Sequence, residues 1–409
     1  MLLGGGHGPR AHFSFGVDAA LQKATGMNRI RGIAALFYPV LPSALFMIAT
    51  CRADPVEIGT ATFSPQRLEV GEGEAAVAFG DFNGDGHQDL VVTDRTDHDL
   101  VVLLGDGRGG LARAGRFPAG QNPTDMAVAD VNGDGTLDVV VANHETSYLT
   151  LLEGDGRGGF QPASNSPLPI DVDPHPHAIR VRDLDGDRVV DLIVDYRGKR
   201  GLLALGGLGE GAFETPGTVI EVGGDPYLGL AIGDLNGDGR LDLVTPNPNE
   251  VGVLLNAGLG HIAFDRGPAL PAASPFAVAL ADIDGDDNLD VIAASDGADS
   301  QVRIFLGDGR GEFREAEDAR FRMAAGAKNI AVGDIDGDGV EDALVSSWSS
   351  DVLIVLGGQG AFKTVRLQLS DIDNPWGLAV VDLNEDEKSD FVIADGVRSL
   401  AAVYLSYDQ

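Results

Sequence analysis

The sequence predicts an all-β fold, a seven-bladed β-propeller of four-stranded antiparallel blades in which an N-terminal strand completes the last blade. Three observations predict it. An acidic loop recurs seven times at a period near fifty residues, short strands of alternating apolar residues flank every copy, and a strand-like stretch ahead of the first copy matches the strand that the last copy lacks.

The loops come first, because they set the period. They read DFNGDGHQD, DVNGDGTLD, DLDGDRVVD, DLNGDGRLD, DIDGDDNLD, DIDGDGVED and DLNEDEKSD, and start at Asp81, Asp130, Asp183, Asp234, Asp282, Asp334 and Asp382. Before each loop runs a strand whose larger apolar residues alternate with small ones: Val77 and Phe79, Met126 and Val128, Ile179 and Val181, Leu230 and Ile232, Val278 and Leu280, Ile330 and Val332, Leu378 and Val380. A period of two belongs to strands, not helices. A second strand follows each loop (LVVT, VVVA, LIVD, LVTP, VIAA, ALVS, FVIA), and a third follows a variable link (VVLLG, TLLEG, LLALG, GVLLN, RIFLG, LIVLG, AVYLS). Glycine-rich turns such as GDGRGGF, ending at Phe160, and GDGRGEF, ending at Phe313, lead into a fourth, less regular strand. The seventh unit runs only to its third strand, near Tyr404 to Tyr407. The stretch from Ala61 to Val70 has the form of the missing fourth, and pairing the two leaves no open edge. A β-helix needs shorter repeats, and EF-hands need helices around each loop; neither fits.

Composition agrees with short strands and tight turns. The chain has 409 residues with 57 Gly and 20 Pro, so long helices are not expected. Its formal charge is −34, with 29 Lys and Arg against 63 Asp and Glu. Such a body repels itself unless cations neutralise it or solvated loops spread the charge, and no nucleic acid partner is expected, because phosphate backbones demand clustered Lys and Arg. The single cysteine, Cys51, excludes an intramolecular disulfide, leaving packing and metal ions to stabilise an exported protein.

Residues 1–53 read as an N-terminal extension and export signal, and 54–409 as the propeller. From Met27, an alternative start, a short basic segment precedes the apolar run 33–50 and then Cys51. Ile48, Ala49, Thr50 and Cys51 resemble a bacterial lipobox, in which case a lipid on Cys51 is the only membrane attachment. Cleavage after Ala53, giving a secreted product, is the alternative; a spanning anchor ranks third because Pro39 and Pro42 interrupt the run. The expected location is the outer surface of the envelope or the medium.

The loops have the donor set of a calcium site. In a D-x-[DN]-x-D-G-x-x-D loop, side chains at positions one, three, five and nine turn around one point and a carbonyl at seven adds an oxygen, which suits an ion that takes six to eight oxygens at about 2.3 to 2.6 Å. The candidate ligands are Asp81, Asn83, Asp85 and Asp89; Asp130, Asn132, Asp134 and Asp138; Asp183, Asp185, Asp187 and Asp191; Asp234, Asn236, Asp238 and Asp242; Asp282, Asp284, Asp286 and Asp290; Asp334, Asp336, Asp338 and Asp342; Asp382, Asn384, Asp386 and Asp390. Up to seven Ca2+ ions are expected. The loops starting at Asp81, Asp130, Asp234 and Asp334 are favoured, because Gly86, Gly135, Gly239 and Gly339 permit the sharp turn at position six. Arg188, Asp287 and the pair Glu385 and Glu387 replace glycine in the other three, which are expected to bind more weakly. Uncompensated, the same carboxylates would only repel one another or face water.

The loop, its flanking strands and the GDGRGGF turn resemble the VCBS/FG-GAP repeat family, related to the propeller of integrin α-subunits, over roughly residues 60–409. The resemblance implies calcium at positions one, three, five and nine of matching loops. It implies little about activity, since the repeat serves adhesins, lectins and lyases.

A ligand is expected on the face opposite the loops, where the links between second and third strands and the starts of first strands vary most: His98, His144, Glu145, Tyr196, Arg197, Lys199, Asn247, Asn249 and Trp348, with Asp125, His177, Tyr227, Phe276 and Trp376. Exposed aromatics beside amides and acids suit a carbohydrate or a protein surface; ordinary rim packing is the plainer account of any one of them. Arg180 and Arg182 stand where the other six units place Gly, Ala or Val. They read as a buried ion pair with an acidic loop such as that at Asp130 or Asp183, or as a cationic spot in the central channel. Arg197, Lys199 and Arg200 form a small basic island. No Gly-x-Ser-x-Gly elbow or HExxH is present, and His175 with His177 mark a rigid strand start more readily than a catalytic pair. The leading reading is therefore a calcium-stabilised recognition or scaffold propeller; a polysaccharide lyase or hydrolase on the same disk, or a structural subunit of an envelope assembly, are the alternatives.

Overall fold

The computed structural model describes residues 55–407 apart from 60, 71, 72, 74, 75, 171–175, 197–200, 225, 227, 228, 298 and 299. The export signal with Cys51, His175, Tyr227 and the basic island lie outside the described residues. Among the described residues no helix is long and apolar enough to cross a membrane.

The repeat builds seven antiparallel sheets, one per unit. In the first blade the strands are Val77–Gly80, Asp89–Asp94, Asp99–Gly105 and Leu111–Pro118, paired in sequence order. The fourth, fifth and sixth blades repeat this plan. The second blade splits its outer strand into Phe160–Pro162 and Leu168–Pro169, both paired with Tyr148–Gly154, and the third adds a small hairpin, Gly207–Gly209 with Ala212–Phe213. In the seventh blade Ala61–Glu69 pairs with Leu400–Tyr407 along its length, from Thr62 opposite Tyr407 to Glu69 opposite Leu400. This is the closure expected from the sequence. Val56–Ile58 then pairs with Ala61–Phe63, so the closing segment is a hairpin and the last blade gains a fifth strand.

The alternation of each strand explains the ring. The second strand of every blade is buried at all six positions in the blades whose side chains are described throughout, because both its faces pack on neighbouring blades. In the first blade Leu90 and Val92 join the core shared with the seventh blade, while Val91 between them joins the core shared with the second. Ile292 and Ala294 likewise point toward the sixth blade, and Val291 and Ala293 toward the fourth. Seven apolar clusters result, one at each seam, and the cluster of Leu90, Val101, Leu383, Val392 and Val403 joins the last blade to the first. A fully buried Val, Leu or Phe contributes about 1.5–3 kcal/mol, so these seams hold the blades together.

Glycine-rich turns tie the same seams by hydrogen bonds. Gly109 N–H donates to the Leu383 carbonyl in the loop of the seventh blade, Gly158 to Phe82 in the loop of the first, and Gly311 to Leu235 in the loop of the fourth. Each of these glycines has φ between 81° and 84°. A Cβ on Gly109 would also stand 2.4 Å from Leu405. The turns and the acidic loops therefore share one face, and each turn latches onto the loop of the preceding blade.

Candidate metal loops and the channel face

All seven acidic loops follow one path, and the aspartates themselves hold it. The position-one carboxylate accepts the N–H of position six through Oδ2, at 2.8–2.9 Å in every loop. Position five accepts the N–H of position seven through Oδ1. These are Asx-type turns, in which a short side chain replaces a backbone partner. Arg188, Asp287 and Glu387 adopt φ of 72°, 69° and 66° at position six, and Glu385 takes 59° at position four. The loops without glycine therefore keep the turn and carry the cost of a left-handed residue instead.

Position nine plays two parts. Asp89, Asp138, Asp191, Asp242, Asp290, Asp342 and Asp390 are each at most 2% exposed. In the first loop Asp89 Oδ2 accepts Phe82 N–H at 2.9 Å and Oδ1 accepts Gly105 N–H at 2.8 Å, so one carboxylate clasps the loop to the end of the third strand. The other six repeat the clasp. Burial pushes these groups up: Asp191 and Asp390 to about 6, and Asp290 and Asp342 to about 7, with neighbouring aspartates adding to the rise and backbone N–H groups opposing it.

Three loops bring carboxylates together. Asp183, Asp185 and Asp191, Asp282, Asp284 and Asp290, and Asp334, Asp336 and Asp342 each offer oxygens within 4.8 Å of one another. Oxygens bound to one ion at about 2.3 to 2.6 Å lie at most about 5 Å apart, so positions one, three and nine fit a shared cation. Asp284 Oδ1 is buried with no hydrogen-bond partner among the described residues, as an oxygen directed at a cation would be. Position five stands outside these groups, beside its position-seven N–H. A group of three carboxylates needs Asp at position three, which the loops at Asp183, Asp282 and Asp334 have, the first two with Arg188 and Asp287 at position six. The other four have Asn at position three. There Asn83 and Asn132 donate to Asp85 and Asp134 at 2.8 and 3.0 Å, so an amide meets part of the negative charge.

The opposite face is where first strands begin. Around the axis lies a cavity of about 310 Å3 whose wall includes Asp125, His177, Arg180, Arg182, Lys328 and Trp376. Arg180 Nη1 donates to Asp125 Oδ2 at 2.9 Å, and both side chains are partly exposed. The arginine pair is thus neither buried nor joined to the loops at Asp130 or Asp183; it lines the channel, and the partner of Arg180 is a residue of the neighbouring inner strand. The His144 and His177 rings lie 4.4 Å apart, and Phe276, Trp348 and Trp376 form a chain of edge contacts. Asn247 turns inward to the Val222 carbonyl, while His98 stays exposed. Sequence reasoning singled out both tryptophans and missed Lys328. The residue is 2% exposed, and its ammonium donates to Asn374 and lies 4.0 Å from the Trp376 ring centre and 4.6 Å from that of Trp348. A lone Lys at a strand start carries no pattern that would reveal this.

Four stretches, 81–141, 130–194, 234–293 and 282–345, match the model described as FG-GAP-like repeat. No curated protein matches the chain. Among solved structures, BBS1N in complex with ARL6DN is similar in its lead-soaked and mercury-soaked crystals, at 12% and 13% identity, each with a TM-score of 0.56 over 87% of this chain and 96% of that one. An Agrocybe aegerita lectin that recognises non-reducing terminal N-acetylglucosamine is 18% identical over 71% of this chain and 80% of its own, with a TM-score of 0.49.

Proposed function

This chain belongs to the FG-GAP-like repeat family, and on that premise we propose that it is a calcium-stabilised recognition or scaffold propeller, exported to the cell surface or medium, that binds a carbohydrate or protein through the face opposite its acidic loops. One observation carries the metal half: three loops each gather three aspartate oxygens within 4.8 Å of one another. An all-oxygen set of carboxylates, with carbonyls and water at hand, suits calcium; magnesium prefers a small octahedral shell with several retained waters. When bound, the ion supplies positive charge at the point where three partly or fully buried carboxylates converge. What the chain does is prearrange them, through Asx turns and the position-nine clasp, so that binding costs little reorganisation.

The ligand half rests on this chain's own surface. Loops of varied sequence ring the channel on a rigid scaffold, and Trp348 is 42% exposed among them. BBS1N carries ARL6DN in its crystal, which is a property of that disk. The test has two arms. Excess chelator should lower the melting temperature, by about 2.7 kcal/mol of stability per site that had been held at 100 times its dissociation constant; an unchanged melting temperature removes the calcium reading. A glycan and protein array probed with calcium should return a ligand whose binding falls on changing Trp348→Ala, and an array with none removes the recognition reading.

A further inference from the structure

The axial cavity reverses the charge of the molecule. The chain as a whole carries −34, yet among the described residues of the cavity wall the titratable side chains are Arg180, Arg182, Lys328 and His177 against the carboxylate of Asp125. Asp125 Oδ2 accepts both Arg180 Nη1 and the Ile179 N–H, and Arg180 Nη1 also donates to the Ile179 carbonyl. Arg182 Nη1 donates to the Val181 carbonyl and has no carboxylate within ion-pair distance among the described residues. The side chain is exposed and lines the cavity. In the other six units the two corresponding positions are Gly, Ala or Val, so the third blade alone puts guanidinium groups there. The five seams that do not involve the third blade form without them.

We propose that this channel binds a small carboxylate-bearing ring of the uronic acid class, with Arg182 as its main anchor. A guanidinium presents a planar fork that matches a carboxylate through two parallel hydrogen bonds. An arginine in the same channel already holds a carboxylate, Arg180 through a single bond from Nη1 to Asp125 Oδ2. A cavity of about 310 Å3 admits one ring and not a thick polymer, while Trp376 and Met126 supply apolar wall. A doubly charged phosphate would meet the Asp125 charge more strongly than a carboxylate does, which favours the singly charged group. Low-dielectric walls around the cations focus the field along the axis, drawing an anion toward a disk that otherwise repels it.

This inference rests on the recognition reading and deepens it. Titration of the purified full chain in calcium with D-galacturonate and D-glucuronate, followed by calorimetry, should show binding by at least one of them. D-Galactose, D-glucose and inorganic phosphate should bind at least about tenfold more weakly, and Arg182→Gln should weaken the uronate about tenfold with no change in melting temperature, because that side chain is exposed. Arg182→Lys should restore part of the affinity. Equal binding of neutral sugar or phosphate, no loss in Arg182→Gln, or no uronate binding overturns the inference. An array ligand that binds Arg182→Gln as well as the parent overturns it while leaving the recognition reading in place; a blank array together with a blank titration overturns both.

Discussion

The loops starting at Asp183, Asp282 and Asp334 and those starting at Asp81, Asp130, Asp234 and Asp382 share one backbone path and differ at position three. With Asp there, three carboxylates converge and Asp284 keeps a buried oxygen without a donor. Either residue accepts the position-five N–H, as Asn83 and Asp185 both do, but Asn in three of its four loops also donates back to the position-five carboxylate. One oxygen-for-nitrogen exchange thus separates a loop with three converging negative charges from a loop with two and an amide that offsets part of them. Glycine content, by contrast, decides little: Arg188 and Asp287 complete the same turn as Gly86. Turn geometry and charge demand are separate properties of the same nine residues.

The position-nine clasp is common to both kinds of loop, and breaking it should have the largest effect. Asp342→Ala leaves Ile335 N–H and Gly357 N–H without their acceptor in the interior, a loss of about 1–3 kcal/mol for each. Urea denaturation should show that loss with chelator present as well as with calcium; a loss seen only with calcium would reduce the clasp to a metal ligand. Next in size is the exchange at position three. Asp284→Asn should convert the fifth loop to the self-satisfied kind, lowering the gain in melting temperature on adding calcium and raising the melting temperature in chelator. The opposite pair of shifts would undo the comparison.

The buried aspartates give a pH dependence whose sign is unusual for carboxylates. Asp290 and Asp342 ionise at about 7 in the metal-free fold against 3.8 ordinarily, so the folded state holds more protons than the unfolded one between those values. That contribution is fully present below 3.8 and is lost as pH rises through about 7. In chelator the protein should therefore melt higher at pH 5 than at pH 8, and calcium should shrink or reverse the difference, because the ion binds the ionised form. Identical melting temperatures at both pH values in chelator would count against buried, unneutralised carboxylates. The smallest effect belongs to the turn. Arg188→Gly relieves a left-handed φ of 72° and should add about 0.5–1 kcal/mol, read from the denaturation midpoint without change in calcium response.

Much of this was legible because repetition multiplies a weak signal. One DxDxDG is an ordinary solvated turn, but seven between paired strands state the blade, the count and the face on which the loops lie. Closure was legible too, since Ala61–Glu69 alternates like an outer strand and the last unit lacked one. The added strand Val56–Ile58 was not, because three residues carry no period. Neither was the environment of Lys328, whose partners Asn374, Trp348 and Trp376 come from two other turns of the chain, 20 to 48 residues away, and meet only when the sixth and seventh blades pack.

From its sequence alone, then, this protein has its architecture: local alternation and turn chemistry act between near neighbours, and a ring of identical units needs no further instruction. Tertiary structure decided the rest. How closely the loop carboxylates converge, how deeply position nine is buried, and where Arg180 and Arg182 lie depend on distances between side chains of different strands and blades, and those distances exist only once the seams have formed.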